Sequence, residues 1–217
     1  MKDIKLVVFD WDGTLLDSTQ LIAKSIQQTC SHLSLPIPDD HQAKFVIGLG
    51  LMESLQHVVP TLKDSEIPQF IEVFRSYYLP QESQLSLFVG ARELLDLLNN
   101  KNKIVAVATG KPRQGLNRSI KHNQLEGIFA FTRCADESRP KPHPEMLEYL
   151  MDVSGVYPHE TLMIGDTTHD LQMAKNAKVK AVAVSYGAHS PTLLKEEPHL
   201  YMAPSVHELN CWINEML

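Results

Sequence analysis

Short apolar segments alternate with amphipathic ones from about residue 86 to the C-terminus, and this alternation limits the folds that the chain can adopt. The short segments predict strands, and the others have the spacing of helices. Strands are predicted at 4–9, 103–108, 128–134, 161–164 and 180–184, and helices at 91–100, after 112, and at 144–153, 169–177 and 206–216. Strands that alternate with helices form a parallel sheet covered on both faces. The sequence therefore predicts an α/β fold with a Rossmann-like, doubly wound parallel sheet.

Residues from about 16 to 84 do not follow this alternation. Two amphipathic helices are predicted there, the first from Leu21, Ile22, Ser25, Ile26 and Thr29 and the second from Ile67, Phe70, Ile71, Phe74, Tyr77 and Tyr78. Side chains at this spacing share one face of a helix, so the aromatic ones are expected in the core of a helical bundle, with stacking on a substrate as the alternative. The sequence predicts a core formed by residues 1–15 and 85–217. A helical cap, residues 16–84, is inserted after the first strand, and we refer to it as the insertion.

The composition restricts the classes of partner. The chain has 217 residues and a formal net charge of −6, which argues against a nucleic acid as its main partner. No apolar run approaches the roughly 18 residues needed to span a bilayer, so no membrane partner is expected. The three cysteines, Cys30, Cys134 and Cys211, are too far apart to suggest a disulfide framework. These features predict a cytoplasmic protein, and leave open whether it is a monomer or a homodimer.

Polar residues that could carry chemistry lie where the predicted strands end. They are Asp10 and Asp12 after the first strand, Thr109 and Gly110 after the second, Lys141 in a loop after the third, Asp166 after the fourth, and Asp170 in the helix that follows. Ligands of an open parallel sheet bind outside the carboxyl ends of its strands. We therefore expect these residues to meet at one edge of the sheet.

A cluster of carboxylates, a hydroxyl and an ammonium group is suited to the transfer of a phosphoryl group. The hydroxyl, the ammonium and turn amides can bind a phosphate group. Carboxylates beside a phosphate require a divalent cation, and Mg²⁺ suits their oxygen ligands. One carboxylate can act as a nucleophile while a second transfers protons. Asp10 and Asp12 alone have another interpretation, because Asp, Gly and Thr are common in a turn after a strand.

Four segments, in this order, resemble the motifs of the haloacid dehalogenase-like hydrolase superfamily. They are Asp10-Trp11-Asp12-Gly13-Thr14-Leu15-Leu16-Asp17-Ser18, Thr109-Gly110-Lys111-Pro112, Lys141-Pro142-His143-Pro144 and Gly165-Asp166-Thr167-Thr168-His169-Asp170. The chain is most similar to the phosphoglycolate-phosphatase-like branch, whose members carry a helical cap between the first two motifs. The resemblance spans nearly the whole chain and implies a phosphatase.

The resemblance implies a role for each matching residue. Asp10 would be the nucleophile that forms a phosphoaspartyl intermediate, and Asp12 would be the general acid/base. Thr109 and the Gly110 amide would bind the phosphoryl group, and Lys141 would neutralise it and the nucleophile. An acidic residue at position 12 favours phosphoryl transfer, because dehalogenases of the superfamily lack it.

Mg²⁺ is the cofactor that the resemblance implies. Asp10 and Asp166 would ligate it, Asp12 would contribute its backbone carbonyl, and Asp170 would ligate it or hold a metal-bound water. The expected reaction is hydrolysis of a small phosphorylated metabolite, whose identity the sequence does not specify. A phosphomutase of the beta-phosphoglucomutase type, a pyrophosphatase and a non-catalytic phospholigand-binding protein are the alternatives.

Other residues near the motifs have open or structural interpretations. The segment 48–53 imitates part of a dinucleotide-binding fingerprint but lacks its third glycine, so we predict a loop of the insertion that faces the active site. Lys111 either contacts the substrate or is solvated. His143 and His169 lack the spacing of metal ligands and are expected to be structural or solvated.

Overall fold

The computed structural model describes residues 3–217 and contains a six-stranded sheet. The strands are β1 (Leu6–Phe9), β2 (Ile104–Ala108), β3 (Phe131–Arg133), β4 (Thr161–Gly165), β5 (Lys180–Val184) and β6 (Met202–Ala203). Their order across the sheet is β3-β2-β1-β4-β5-β6, and neighbouring strands run parallel. The chain thus winds outward from β1 in both directions, which confirms the predicted doubly wound α/β fold.

The described residues form ten α-helices. They are α1 (Thr19–His32), α2 (Asp40–Phe45), α3 (Leu51–Val58), α4 (Ile67–Glu82), α5 (Ala91–Asn100), α6 (Arg113–His122), α7 (Glu145–Ser154), α8 (Thr168–Asn176), α9 (Pro191–Leu194) and α10 (Val206–Met216). Short 3₁₀ helices occur at Asp64–Glu66 and Pro158–Glu160. The first four α-helices belong to the insertion, and the others accompany the sheet. No helix within residues 3–217 is both long and apolar enough to cross a membrane.

Both faces of the sheet are buried. In β1, Leu6 and Val8 point to one face while Val7 and Phe9 point to the other, because successive strand residues face opposite sides. Helices α7 and α8 cover the first face, and α5 and α10 cover the second. Strands buried on both faces are continuously apolar rather than alternating, which explains the short apolar runs in the sequence.

The helices of the insertion have a hydrophobic cluster of their own. Its buried members are Ile26, Cys30, Val46, Leu49, Leu55, Val58, Val59 and Phe70. Helices α1 and α4 pack along each other. A cluster separate from those of the sheet supports our proposal that the insertion is a distinct cap.

Some elements differ from the predictions. The strand β6 and the helix α9 were not predicted, because two and four residues are too few to show a period. The strand predicted at 128–134 is confined to β3, since the amide of Ile128 donates to the carbonyl of Leu125 in a turn. These differences lie away from the strand ends that carry the motifs.

Candidate active site

Three of the predicted site residues directly follow β1, β2 and β4. In the sheet, β1 pairs with β2 on one side and with β4 on the other. Asp10, Thr109 and Asp166 therefore leave adjacent strands at the same edge. The amide of Asp10 donates to the carbonyl of Ile164 at 2.9 Å, which continues the pairing beyond the last residue of β1. The structure thus brings the first, second and fourth motifs together.

Lys141, in the third motif, joins two carboxylates. Its Nζ donates to Oδ1 of Asp10 at 2.6 Å and to Oδ1 of Asp170 at 2.6 Å. All three side chains are buried. These contacts use two of the three ammonium hydrogens and leave one for another acceptor. Among residues 3–217, the buried Oδ2 of Asp10 has no hydrogen-bond partner.

Burial shifts the pKa values of these groups. Burial raises the pKa of Asp10 well above its usual range, because it outweighs the attraction of Lys141, and the nearby carboxylates of Asp170 and Asp166 add to the rise. Burial and then Asp170 raise the pKa of Asp166 to about 7. Burial works to lower the pKa of Lys141, but Asp10 and Asp170 bring it above its usual value. Without a cation, the cluster therefore disfavours ionisation of all three carboxyl groups at once.

The acidic cluster fits a hard divalent cation. Carboxylate oxygens of Asp10, Asp166 and Asp170 lie within 4.8 Å of one another. When all three are ionised, they exceed the charge of the Lys141 ammonium by two, which one divalent cation would balance. The buried Oδ2 of Asp10, which has no hydrogen-bond partner within residues 3–217, is an oxygen of the kind that Mg²⁺ prefers.

Hydrogen bonds fix the two carboxylates of the fourth motif. Asp166 accepts from Oγ1 of Thr14 and from the amide of Ala188, each at 2.7 Å. Oδ2 of Asp170 accepts from Oγ1 of Thr167 at 2.7 Å and from its amide at 3.0 Å. Because the donors are buried or belong to the backbone, each carboxylate is held in one orientation.

Asp12 is held by a different set of residues. Its Oδ1 accepts from Oγ of Ser18 at 2.8 Å, and both of its carboxylate oxygens lie 3.2 Å from Nζ of Lys111. Nζ of Lys111 also donates to the hydroxyl of Tyr78 at 3.0 Å. The interpretation of Lys111 as a solvated residue is wrong, because Asp12 and Tyr78 enclose its ammonium.

Tyr78 has a contact at the site, with Lys111, that the sequence did not indicate. Its helical spacing predicts a side chain in the bundle core, and it is indeed buried. The hydroxyl nevertheless points to Lys111 rather than into the insertion. The two residues are 33 positions apart, and only the path of the insertion brings them together, so no local pattern could have revealed the contact.

The loop at Thr109 and Gly110 lies against the insertion. Oγ1 of Thr109 accepts from the amide of Lys111 at 3.1 Å. A Cβ atom added to Gly110 would lie 2.7 Å from the carbonyl oxygen of Gly48 and 2.8 Å from that of Leu49. Only glycine leaves room for this approach. Residues 48 and 49 therefore face the second motif, as predicted, but residues 51–53 begin the helix α3 and are not part of a loop.

Two histidines bind the insertion at one carbonyl group. Nε2 of His169 and Nε2 of His189 lie 2.8 and 3.0 Å from the carbonyl oxygen of Phe45. Burial lowers the pKa of both rings, to about 4 for His189, so they are neutral and each donates an N–H. His169 thus has the structural role expected of it. His189 was not singled out, because it lies outside the motifs. His143 contacts Arg139 at 3.2 Å.

Comparison with known proteins relates the chain to one family. The family described as haloacid dehalogenase-like hydrolase matches residues 7–184, which include all four motifs. The probable phosphatase IndB of Dickeya dadantii is 36% identical over 196 residues, covering 88% of this chain and 85% of the relative. A phosphoglycolate phosphatase of Mannheimia succiniciproducens is 32% identical over 194 residues, covering 84% of this chain and 86% of the relative.

A solved structure has the same fold. It is described as a predicted phosphoglycolate phosphatase from Haemophilus somnus, and it superposes with a TM-score of 0.87 at 25% identity, covering 98% of this chain and 99% of the other. The sequence matches and the fold agree with four motifs that meet at one edge of the sheet. The chain therefore belongs to the haloacid dehalogenase-like hydrolase family, in its phosphoglycolate-phosphatase-like branch, and is a phosphatase that hydrolyses phosphoric ester bonds.

Proposed function

We propose that this phosphatase depends on Mg²⁺ and hydrolyses a small phosphate monoester through a phosphoaspartyl intermediate on Asp10. The observation that carries the proposal is the contact of Lys141 with Asp10 and Asp170, each at 2.6 Å, with Asp166 beside them. A buried carboxylate held by an ammonium, next to oxygen ligands for a divalent cation, is suited to accept a phosphoryl group.

The acidic cluster would hold the cation. Asp10, Asp166 and Asp170 would contribute side-chain oxygens, and Asp12 its backbone carbonyl. When bound, Mg²⁺ would supply the positive charge that offsets repulsion between the carboxylate nucleophile and the anionic phosphoryl group. The third ammonium hydrogen of Lys141 is available for a phosphoryl oxygen, which places a second positive charge beside the same group.

The reaction takes two displacements. In the first, a carboxylate oxygen of Asp10 bonds to phosphorus while the bond from phosphorus to the ester oxygen breaks, and Asp12 donates a proton to that leaving oxygen. In the second, Asp12 takes a proton from water, whose oxygen bonds to phosphorus while the Asp10 oxygen leaves. Inorganic phosphate departs and Asp10 is restored. Thr109 and the Gly110 amide bind the phosphoryl oxygens in both steps.

The proposed substrate is a small phosphorylated metabolite. A cavity of about 350 Å³ lies between the insertion and the core, with Phe45, His57, Lys141 and His169 in its lining. Asp10, Asp12 and Thr109 do not line it, so its volume does not measure the space at the proposed nucleophile. Phosphoglycolate is the first compound to test, because similar proteins carry the name phosphoglycolate phosphatase.

Phosphate release from p-nitrophenyl phosphate tests the proposal. We expect many turnovers with Mg²⁺ and none with EDTA. Asp10→Asn removes the nucleophile and should lower kcat by about 10⁴-fold or more. Asp96→Asn changes an exposed carboxylate on α5 and is the matched control, with full activity expected. Full activity of Asp10→Asn would contradict the nucleophile, and interconversion of sugar phosphates without phosphate release would favour the phosphomutase.

A further inference from the structure

Tyr78 of the insertion and Lys111 of the second motif form a buried contact that the proposed reaction does not use. The exposed fraction is 5% for Tyr78 and 8% for Lys111. The ammonium of Lys111 donates to the Tyr78 hydroxyl at 3.0 Å and lies 5.1 Å from the ring centre. The same ammonium lies 3.2 Å from both oxygens of Asp12. Two side chains, Tyr78 and Lys111, thus connect α4 to Asp12, the proposed acid/base.

The ammonium of Lys111 is fully occupied by these neighbours. It has three hydrogens, and its three acceptors are the Tyr78 hydroxyl and the two Asp12 oxygens. Lys141 differs, since only two of its hydrogens meet acceptors within residues 3–217. Lys111 is therefore suited to hold Asp12, whereas Lys141 keeps a hydrogen for the substrate.

Packing fixes both partners of this contact. The Lys111 side chain passes over Gly115 of α6, where an added Cβ would lie 3.2 Å from Cγ of Lys111. The Tyr78 ring stacks on Phe74, with centroids 5.6 Å apart and planes at 12°. Burial and then Asp12 raise the pKa of Tyr78 to about 12, so its hydroxyl is neutral. Lys111 therefore forms its ion pair with Asp12 when that carboxylate is ionised, which is the state that takes a proton from water in the second displacement.

The contacts leave one oxygen of Asp12 available for proton transfer. Oδ1 accepts from both Ser18 and Lys111, whereas Oδ2 accepts from Lys111 alone within residues 3–217. A carboxylate oxygen can accept more than one hydrogen bond, so Oδ2 retains the capacity to bind a reacting group. The orientation of this oxygen depends on where Lys111 is held, and Tyr78 is one of the groups that hold it.

We propose that Tyr78 is a positioning residue for Asp12: its hydroxyl holds the Lys111 ammonium, which orients the Asp12 carboxylate for proton transfer. This inference rests on the proposed function, because it assigns support to the acid/base of that reaction. It also gives the insertion a part in the chemistry, since Tyr78 belongs to α4.

A comparison of two similar substrates distinguishes a residue that positions the acid Asp12 from one that only supports the structure of the site. p-Nitrophenolate is a good leaving group and needs little protonation, whereas phenolate is more basic and depends on a proton from Asp12. Loss of orientation should therefore lower kcat/KM for phenyl phosphate more than for p-nitrophenyl phosphate. General damage to the site should lower both values equally.

Tyr78→Phe removes one hydroxyl and keeps the ring. We expect kcat/KM to fall about 10-fold for phenyl phosphate and less than about 3-fold for p-nitrophenyl phosphate. Lys111→Met should cause a larger fall with the same preference. The double variant should match Lys111→Met, because effects that act through one group are not additive. Tyr77→Phe is the control, since its hydroxyl lies 3.1 Å from His32 within the insertion, and it should behave as wild type.

The outcomes distinguish this inference from the proposed function. Equal losses on both esters, or additive effects of Tyr78→Phe and Lys111→Met, would overturn the positioning role while phosphate hydrolysis stands. An equal loss in Tyr77→Phe would overturn it as well. A wild-type protein that hydrolyses neither ester with Mg²⁺ would overturn the proposed function and this inference together. Thermal unfolding of every variant identifies a fall in activity that comes from a lost fold, which would count against the positioning role.

Discussion

At the scale of single residues, the burial of Asp166 makes the stability of the folded protein depend on pH. Burial and then Asp170 raise its pKa from 3.8 to about 7. Between these pH values the folded, metal-free protein binds a proton that the unfolded chain releases. The resulting stabilisation is complete below the unfolded pKa and is lost as the pH rises through about 7.

We therefore expect Asp166 to contribute a loss of about 1 kcal/mol to the unfolding free energy of the metal-free protein between pH 6.5 and pH 8. His169 and His189, with lowered pKa values, act in the opposite direction while the unfolded histidines lose their protons near pH 6.5, so the contribution of Asp166 is measured as the difference between the wild type and Asp166→Asn. Urea unfolding in EDTA at both pH values measures the loss. Asp166→Asn should make it smaller and Asp96→Asn should not, so an equal loss in all three proteins would count against Asp166 as its source.

At the scale of secondary structure, the start of α8 combines helix capping with the orientation of a proposed ligand. The side chain of Thr167 accepts from the amide of Asp170, and the side chain of Asp170 accepts from the amide of Thr167. Helix α2 of the insertion starts with the same reciprocal pattern, formed by Asp39 and Gln42. Asp39 is exposed and belongs to no motif. The two helices therefore allow capping to be separated from catalysis.

Thr167→Ala and Asp39→Ala should each lower the unfolding free energy by about 1 kcal/mol, because each removes a helix cap. Only Thr167→Ala should also lower kcat, by about 10-fold or more, because Oδ2 of Asp170 loses the Oγ1 donor and keeps only the amide of residue 167. Urea unfolding and phosphate release measure the two effects. Equal kcat values in both variants would mean that the cap of α8 serves stability alone.

The elements that the sequence predicted well have long, regular patterns. Helix α5 (Ala91–Asn100), strand β5 (Lys180–Val184) and helix α10 (Val206–Met216) begin and end where predicted. The residues at the strand ends could be found because a parallel sheet always gathers them at one edge. The approach of α4 to α6, where Arg118 pairs with Glu82 at 3.0 Å, depends on the path of the insertion. Contacts of that kind leave no periodic pattern in the sequence, so the contact of Tyr78 with Lys111 could not be predicted.

At the scale of the whole molecule, the insertion and the core meet directly beside the acidic cluster. His169 and His189 donate to Phe45 on one side, and Gly110 contacts Gly48 on another. A ligand that fills the site therefore lies next to contacts between the two parts. Binding there should stabilise the fold as a whole, because only the folded chain assembles these residues.

Beryllium fluoride with Mg²⁺ imitates a phosphoryl group on a carboxylate and tests this linkage. At a concentration about 100 times its Kd, a ligand specific for the folded state adds about 2.7 kcal/mol of stability. We expect the unfolding temperature of the wild type to rise by several degrees beyond the effect of Mg²⁺ alone. Asp10→Asn should show no such further rise. A wild type that does not respond would argue against an intact phosphoryl-transfer site.

The close approach of Gly110 to the insertion has a consequence for how specificity can change. The missing side chain at this position sets the height of the insertion above the phosphate loop, since an added Cβ would lie 2.7 Å from the carbonyl oxygen of Gly48. Because Gly110 carries only a hydrogen atom where other residues carry Cβ, the backbone of the insertion can come this close. Substitutions in the side chains of the insertion can therefore change the walls of the cleft while Gly110 keeps the two backbones this close.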